Sequence, residues 1–169
     1  MEQNHIRNTR VKTFDLAGIK GAGFSGFKSV AEMKGGGYLG LPDSSGVYML
    51  LRRSTEPPCF LQVGTGGHFK GKNPNVSVDV LQANWVDGAS VVYIGKATSL
   101  KKRLGQYMRF GRGANVGHWG GRYVWQLADA DDLLVCWKRT TEGPRDVEAR
   151  YIQDFVMQYG QRPFANLVD

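Results

Sequence analysis

Tyr48, Tyr93, Arg103, Tyr107, Glu148 and Asn166 are the residues whose types could together do chemistry: phenols, a guanidinium, a carboxylate and an amide. Arg103 follows Tyr93 by ten positions and Tyr107 follows Arg103 by four, behind the run Val92-Tyr93-Ile94-Gly95-Lys96. Gly46-Val47-Tyr48 stands upstream, and Pro163-Phe164-Ala165-Asn166-Leu167 lies far downstream. Taken singly, most have an ordinary explanation: strand tyrosines fill cores, and Lys96 and Arg103 are solvated parts of a basic surface. Glu148 differs. It falls in the helical stripe Glu148, Ile152, Phe155, Tyr159, where a carboxylate is costly unless it meets a cation. Either it is salt-bridged to Arg103, or it clusters with Asn166 and holds a hard divalent ion whose shell waters and substrate phosphate complete.

The charge is concentrated. The chain carries a net +7, and between Val91 and Trp125 it has Lys96, Lys101, Lys102, Arg103, Arg109, Arg112 and Arg122 with no Asp or Glu, so this segment accounts for the whole excess. Interleaved Tyr107, Phe110, Trp119 and Tyr123 suit a nucleic acid, whose backbone releases counterions to fixed cations and whose bases stack on aromatic rings. His118, flanked by glycine, is either a phosphate or catalytic contact within this patch or a structural hydrogen-bonding group. The alternative for the whole patch is a solvated face that maintains solubility.

These residues need elements to position them. Gly46 to Leu51 and Val91 to Tyr93 read as buried strands, and Ser99 caps a helix from about 100 to 110 that sets Arg103 and Tyr107 one turn apart. Two further strands are expected at Tyr123–Leu127 and Leu133–Lys138, around the acidic turn 129–132. Pro144 opens a second helix and Gly160 ends it. The fold class is therefore α/β in the broad sense (α+β): a small, mainly antiparallel sheet of three to five strands flanked by helices. Residues 1–40 read as an N-terminal extension packed on a domain spanning 41–169, with a helix of about two turns over the apolar run Phe27, Val30, Ala31 and Met33.

Composition excludes several classes. A chain of 169 residues supports one sizeable core. It has no apolar run long enough to span a membrane, and Met1-Glu2-Gln3-Asn4-His5 lacks the basic and apolar parts of a secretory leader. Cys59 and Cys136 stand far apart and His5, His68 and His118 are dispersed, which predicts a reducing, cytoplasmic setting without a zinc site. Gly21-Ala22-Gly23-Phe24-Ser25-Gly26 has dinucleotide-site spacing without the apolar strand before it, and Gly66 to Lys72 leads into Asn73-Pro74 where a phosphate loop needs a hydroxyl and a helix. Both are read as loop glycines.

Jointly, Gly-Val-Tyr, Tyr-Ile-Gly-Lys, Arg103, Tyr107, Glu148 and Asn166 resemble the GIY-YIG endonuclease family over residues 41–169, most closely the module found in the bacterial nucleotide excision repair incision nuclease. The resemblance implies metal-dependent hydrolysis of a phosphodiester, most readily in DNA, with Mg²⁺ (or Mn²⁺) held by Glu148. It implies that Tyr48 activates or orients water beside Tyr93, that Arg103 stabilises charge on phosphate, and that Asn166 fixes the scaffold. Lys96, Arg103 and the metal would favour a phenolate. Two departures stand out: valine replaces the motif isoleucine at position 47, and the long interval between Tyr48 and Tyr93 implies an insertion at about 54–88. No separate DNA-binding domain is visible, so targeting would come from the insertion, a partner or a homodimer. The competing class is a nucleic-acid-binding module on the same scaffold without turnover.

Overall fold

In the computed structural model, residues 10–167 are described; the N-terminal run read for a leader, and His5 with it, lie outside them. Strand β1 (Ser25–Ser29) follows a short helix α1 (Leu16–Gly21) and leads directly into helix α2 (Val30–Lys34). Strand β2 (Gly46–Leu51), helix α3 (Val78–Asn84), strand β3 (Val91–Ala97), helix α4 (Leu100–Gly111), strand β4 (Leu134–Arg139) and helix α5 (Pro144–Tyr159) complete the order. The strands form one four-stranded sheet, β1-β4-β2-β3, in which every pairing is antiparallel. The fold is thus α+β. Residues 10–40 do more than pack on the domain, because they supply the edge strand β1.

All of β2 is buried because it is central and covered on both faces. Tyr48 and Leu50 join one hydrophobic layer with Leu104, Tyr107, Phe110, Trp125 and Phe164. Val47, Met49 and Leu51 join the other with Ile94, Cys136, Tyr151 and Phe155. Helix α4 covers the first face, its start capped by Ser99, whose Oγ accepts from the Lys102 amide at 3.2 Å. Helix α5 covers the second. Proline stands at its start and Gly160, at φ 77°, ends it in the left-handed region that glycine favours.

The buried side of α5 differs from the expected stripe: it carries Val147, Tyr151, Ile152, Asp154 and Phe155. Glu148 sits at its rim, and Tyr159 is half-buried against Phe155. The N-terminal segment accounts for the wider apolar surface, since it packs on the far side of the helix. Phe14 meets Phe155 edge-on at 5.3 Å, Arg10 pairs with Asp154 at 2.9 Å, and Gln158 donates to the Lys12 carbonyl at 2.8 Å.

Residues 123–127 do not form the expected strand. Tyr123 to Gln126 belong to a 3-10 segment, Trp119–Gln126, that buries Tyr123, Val124 and Trp125 against the first face, and Leu127 after it makes an isolated antiparallel bridge with Phe60. A short apolar run signals burial without distinguishing a strand from a tight helix. The carbonyls of Trp125 and Gln126 instead receive amides from the insertion, Thr65 at 3.1 Å and Leu61 at 2.8 Å. Buried Gln126 completes the join, donating to the Leu61 and Val76 carbonyls and accepting from the Val76 amide at 2.9 Å. The insertion therefore braces the 110–127 region. Its Gly66 to Lys72 run contains only the short turn Phe69–Gly71, and α3 starts six residues later at Val78, so no helix N-terminus follows those glycines directly.

Candidate active site

Three elements converge on one open cleft of ≈ 810 Å³. Strand β3 contributes Tyr93 and Lys96, α4 contributes Lys102, Arg103, Gln106 and Arg109, and the start of α5 contributes Gly143, Pro144, Arg145 and Glu148. Tyr93 and Arg103, ten residues apart, meet because α4 starts soon after β3 and lies over the face that carries the tyrosine. Glu148 arrives from the other end of the chain because α5 crosses β3. Among the described residues, Glu148 is the only carboxylate lining this cleft, against five cations.

Glu148 does not pair with Arg103. Its Oε1 meets Lys96 Nζ at 3.4 Å, with the carboxylate side chain 17% and the lysine 48% exposed. Burial raises the Glu148 pKa above the ordinary 4.5, although Lys96, Arg162 and Arg103 pull the other way. Arg103 anchors one guanidinium nitrogen, Nη1, which donates to Gln106 Oε1 at 2.8 Å and to the Gly117 carbonyl at 3.1 Å. Among the described residues, no hydrogen bond engages the rest of its fork, which leaves a planar donor edge of the kind that grips carboxylate or phosphate oxygens.

The tyrosines are deeper than the family resemblance implies. Tyr48 is fully buried and lines no part of the cleft; its hydroxyl is 2.8 Å from His118 Nε2. Tyr107 is also fully buried and donates to the Gly121 carbonyl at 2.7 Å. Only Tyr93 reaches the cleft, at 7% exposure, and burial together with the Glu148 charge pushes its pKa up to about 12. Arg103 and the Tyr48 hydroxyl oppose that rise without overcoming it, so the surroundings do not yield a phenolate at neutral pH by themselves.

Glycine makes this packing possible. Tyr48 and Gly95 are register partners, and a Cβ built on Gly95 would lie 2.3 Å from Tyr48 Cζ. Gly95→Ala should therefore lower stability by about 1–3 kcal/mol, the usual cost of overpacking. Thermal unfolding measures it, and an unchanged midpoint would mean that the Tyr48 ring is not held against β3 as described.

Several expected site residues lie elsewhere. Asn166 is at the free edge of β3, where its side chain accepts from the Ile94 amide at 2.9 Å and donates to the Ile94 carbonyl at 2.8 Å. It extends the sheet as a scaffold and does not join Glu148 in a cluster. His118 is completely buried, stacked on Tyr107 at 3.8 Å, and cannot contact a phosphate from that position. Arg112 donates to the Lys34 carbonyl, while Arg122 lies over the Trp119 and Tyr123 rings. Lys101, Arg112 and Arg122 are outside the cleft lining, whereas Lys96, Lys102 and Arg109 are within it. The sequence reading missed Arg145 and Gln106. Arg145 stands three positions before Glu148, a spacing that puts two helical side chains on neighbouring turns of one face.

Among the described residues no group of three or more His, Cys, Asp and Glu is gathered around a common point. The donor set nonetheless fits an ion of the Mg²⁺ type, which binds through one or two carboxylates plus substrate phosphate and keeps several waters. Glu148 is half-buried, faces an open cleft and, among the described residues, hydrogen-bonds only to Lys96, at the long distance of 3.4 Å. Among the described residues no helix is long and apolar enough to cross a membrane. No family model, curated protein or solved structure matches this chain.

Proposed function

We propose that this chain is a metal-dependent endonuclease of the GIY-YIG type that hydrolyses phosphodiester bonds in nucleic acid, with DNA as the substrate. The observation that carries this reading is the cleft in which Tyr93, Lys96, Arg103 and Glu148, dispersed over 56 positions of sequence, meet under a cationic rim. A phosphodiester suits that composition: Arg103 donates to its charged oxygens through the free part of its fork, Lys102 and Arg109 hold the flanking backbone, and Tyr93 orients a water at the cleft wall. Mg²⁺ or Mn²⁺ bound at Glu148 would supply Lewis-acid stabilisation of the phosphoryl oxygens and offset the carboxylate charge that raises the Tyr93 pKa. A cytoplasmic setting, and a partner or a homodimer that selects the substrate, belong to the same reading.

Incubation of the purified protein with supercoiled plasmid, branched and single-stranded DNA should give nicked or linear products with Mg²⁺ or Mn²⁺ and none with EDTA. Binding without cleavage in every metal condition would instead establish a nucleic-acid-binding module. Salt titration of binding tests the cationic rim separately. Replacing Lys102 and Arg109 by alanine should flatten the dependence of log K on log salt by about one unit per lost phosphate contact. The same change at Lys101, outside the cleft, should have less effect, and equal slopes for all these variants would assign the charges to solubility.

A further inference from the structure

The register of the sheet fixes the shape of the cleft. Gly46 of β2 faces Ala97 on one side and Arg139 on the other, so β3 and β4 end together and α4 and α5 both begin at that end of the sheet. The two helices then run back over opposite faces, with β3 as the edge strand between them. The cleft is the trench that this leaves along the outer edge of β3, from Tyr93 to Ser99. Toward the start of β3 the edge is covered: Asn166 holds the Ile94 amide and carbonyl, and the Ala165 amide donates to the Val92 carbonyl at 2.8 Å.

The two walls carry unequal charge. Lys102, Arg103 and Arg109 stand on the α4 side, and Arg145 is the one cation on the α5 side, in the first turn of its helix as Lys102 is in the first turn of α4. Arg145 is exposed, and among the described residues no hydrogen bond or ion pair engages its guanidinium. The acids around it in sequence are otherwise placed. Glu142 pairs with Arg150 at 2.7 Å, Glu148 meets Lys96, and Asp146, as the adjacent helical residue, does not face it. A cation in a first turn also gains nothing from the helix dipole, so local stability does not account for the arginine at this position.

We propose that Arg145 is a substrate-binding residue: with Lys102 it grips one phosphate of the nucleic-acid strand from the two sides of the cleft mouth, next to the phosphate that Arg103 meets. The proposal rests on the nuclease reading for the identity of the ligand. Three residues separate Arg145 from Glu148, about 4.5 Å along α5. That offset is comparable with the axial spacing of about 3.4 Å between successive phosphates of one strand, which places the guanidinium on the neighbour of the reacting group. The strand therefore lies along the β3 edge with a helix on either side, and does not follow α4 alone. A planar fork suits the task, because it holds two phosphate oxygens at once. Arg145 touches no reacting atom in this arrangement, so it contributes to binding and leaves the chemical step to Arg103 and Glu148.

Binding of labelled single-stranded and duplex DNA oligonucleotides to the full chain, in EDTA and over a series of salt concentrations, tests the proposal. Arg145→Ala should weaken Kd about tenfold at low salt and lower the slope of log K against log salt by about one unit. Arg145→Lys should keep the slope and recover only part of the affinity. The thermal midpoint should not move, since the side chain is exposed and alanine favours a helix. Because Arg145 and Lys102 share a phosphate, the double alanine variant should lose less than the sum of the single losses, whereas Arg145 and Arg109 should add. With Mg²⁺ and cleavable DNA, Arg145→Ala should raise KM and leave kcat in place. Parental affinity and slope in Arg145→Ala would reduce the residue to a solvated charge, and additive losses with Lys102 would separate the two walls. A fall in kcat at unchanged KM would move Arg145 onto the reacting phosphate; each of these outcomes overturns the proposal. If the parental chain binds DNA without cleaving it, the nuclease reading fails while the isotherms still decide the role of Arg145. If it binds no nucleic acid, both fail.

Discussion

Glu148→Gln should abolish metal-stimulated cleavage while leaving the fold and DNA binding in place. The substitution preserves size and removes the negative charge, and among the described residues Glu148 is the only carboxylate in the cleft lining that a divalent ion could use. Folding should survive because the side chain sits at the rim of the α5 contact and is partly exposed. Lys96 loses only a long, partly solvated partner, an interaction worth little at such sites. Circular dichroism and a DNA-binding isotherm check the retained properties, and undiminished Mg²⁺-dependent turnover would remove Glu148 from the site. On the same reading Glu148 should set the acid limb of the activity. Burial raises its pKa without metal and binding requires the carboxylate, so activity should fall as acid protonates it, and raising Mg²⁺ should move the limb to lower pH. An acid limb that does not respond to Mg²⁺ would mean that another group controls the loss.

Arg103→Ala should lower kcat by about 10²–10³, the range seen when one charge-stabilising donor is removed, with a much smaller change in KM. Nη1 of Arg103 is committed to Gln106 and Gly117, so the alanine variant loses both an anchor of the Gly117–Gly121 segment and the donor edge in the cleft. Arg103→Lys separates the two roles. It retains a charge but not the planar fork, and it should recover only part of the rate. Full activity in Arg103→Lys would show that charge alone suffices, and parental turnover in Arg103→Ala would make the residue a structural anchor of that segment. Neither outcome depends on Glu148, because the two side chains do not pair.

Much of the architecture was legible from periodicity and punctuation. Ser99, Pro144 and Gly160 mark helix ends because capping, ring geometry and left-handed backbone are local properties. Strands β2 and β3 are legible because each is an almost uninterrupted buried apolar run. Residues 123–127 were misread for the complementary reason: burial leaves the same apolar signature on a strand and on a 3-10 segment, and only the amides of Leu61 and Thr65, some sixty residues upstream, settle which backbone groups are paired. The edge strand β1 was missed because a five-residue strand with glycine inside it and a register irregularity has weak alternation of its own.

The candidate site divides along the same line. The residue types and their spacing along α4, together with a carboxylate in the apolar stripe of the last helix, were properties of the sequence itself, and the cleft does bring Tyr93, Lys96, Arg103 and Glu148 together. Their partners and exposure were not. Whether Glu148 meets Lys96 or Arg103 depends on which turn of α5 crosses β3, a choice made by packing Phe14 and Phe155 on the far side of the helix as much as by the site. Tyr48 and Tyr93 carry the same side chain on adjacent strands, yet one is sealed behind His118 and the other opens on the cleft. Sequence determines which groups are available and the local geometry of each element; only long-range packing decides which of them are desolvated, paired or exposed, because burial and pairing are set by segments distant in the chain.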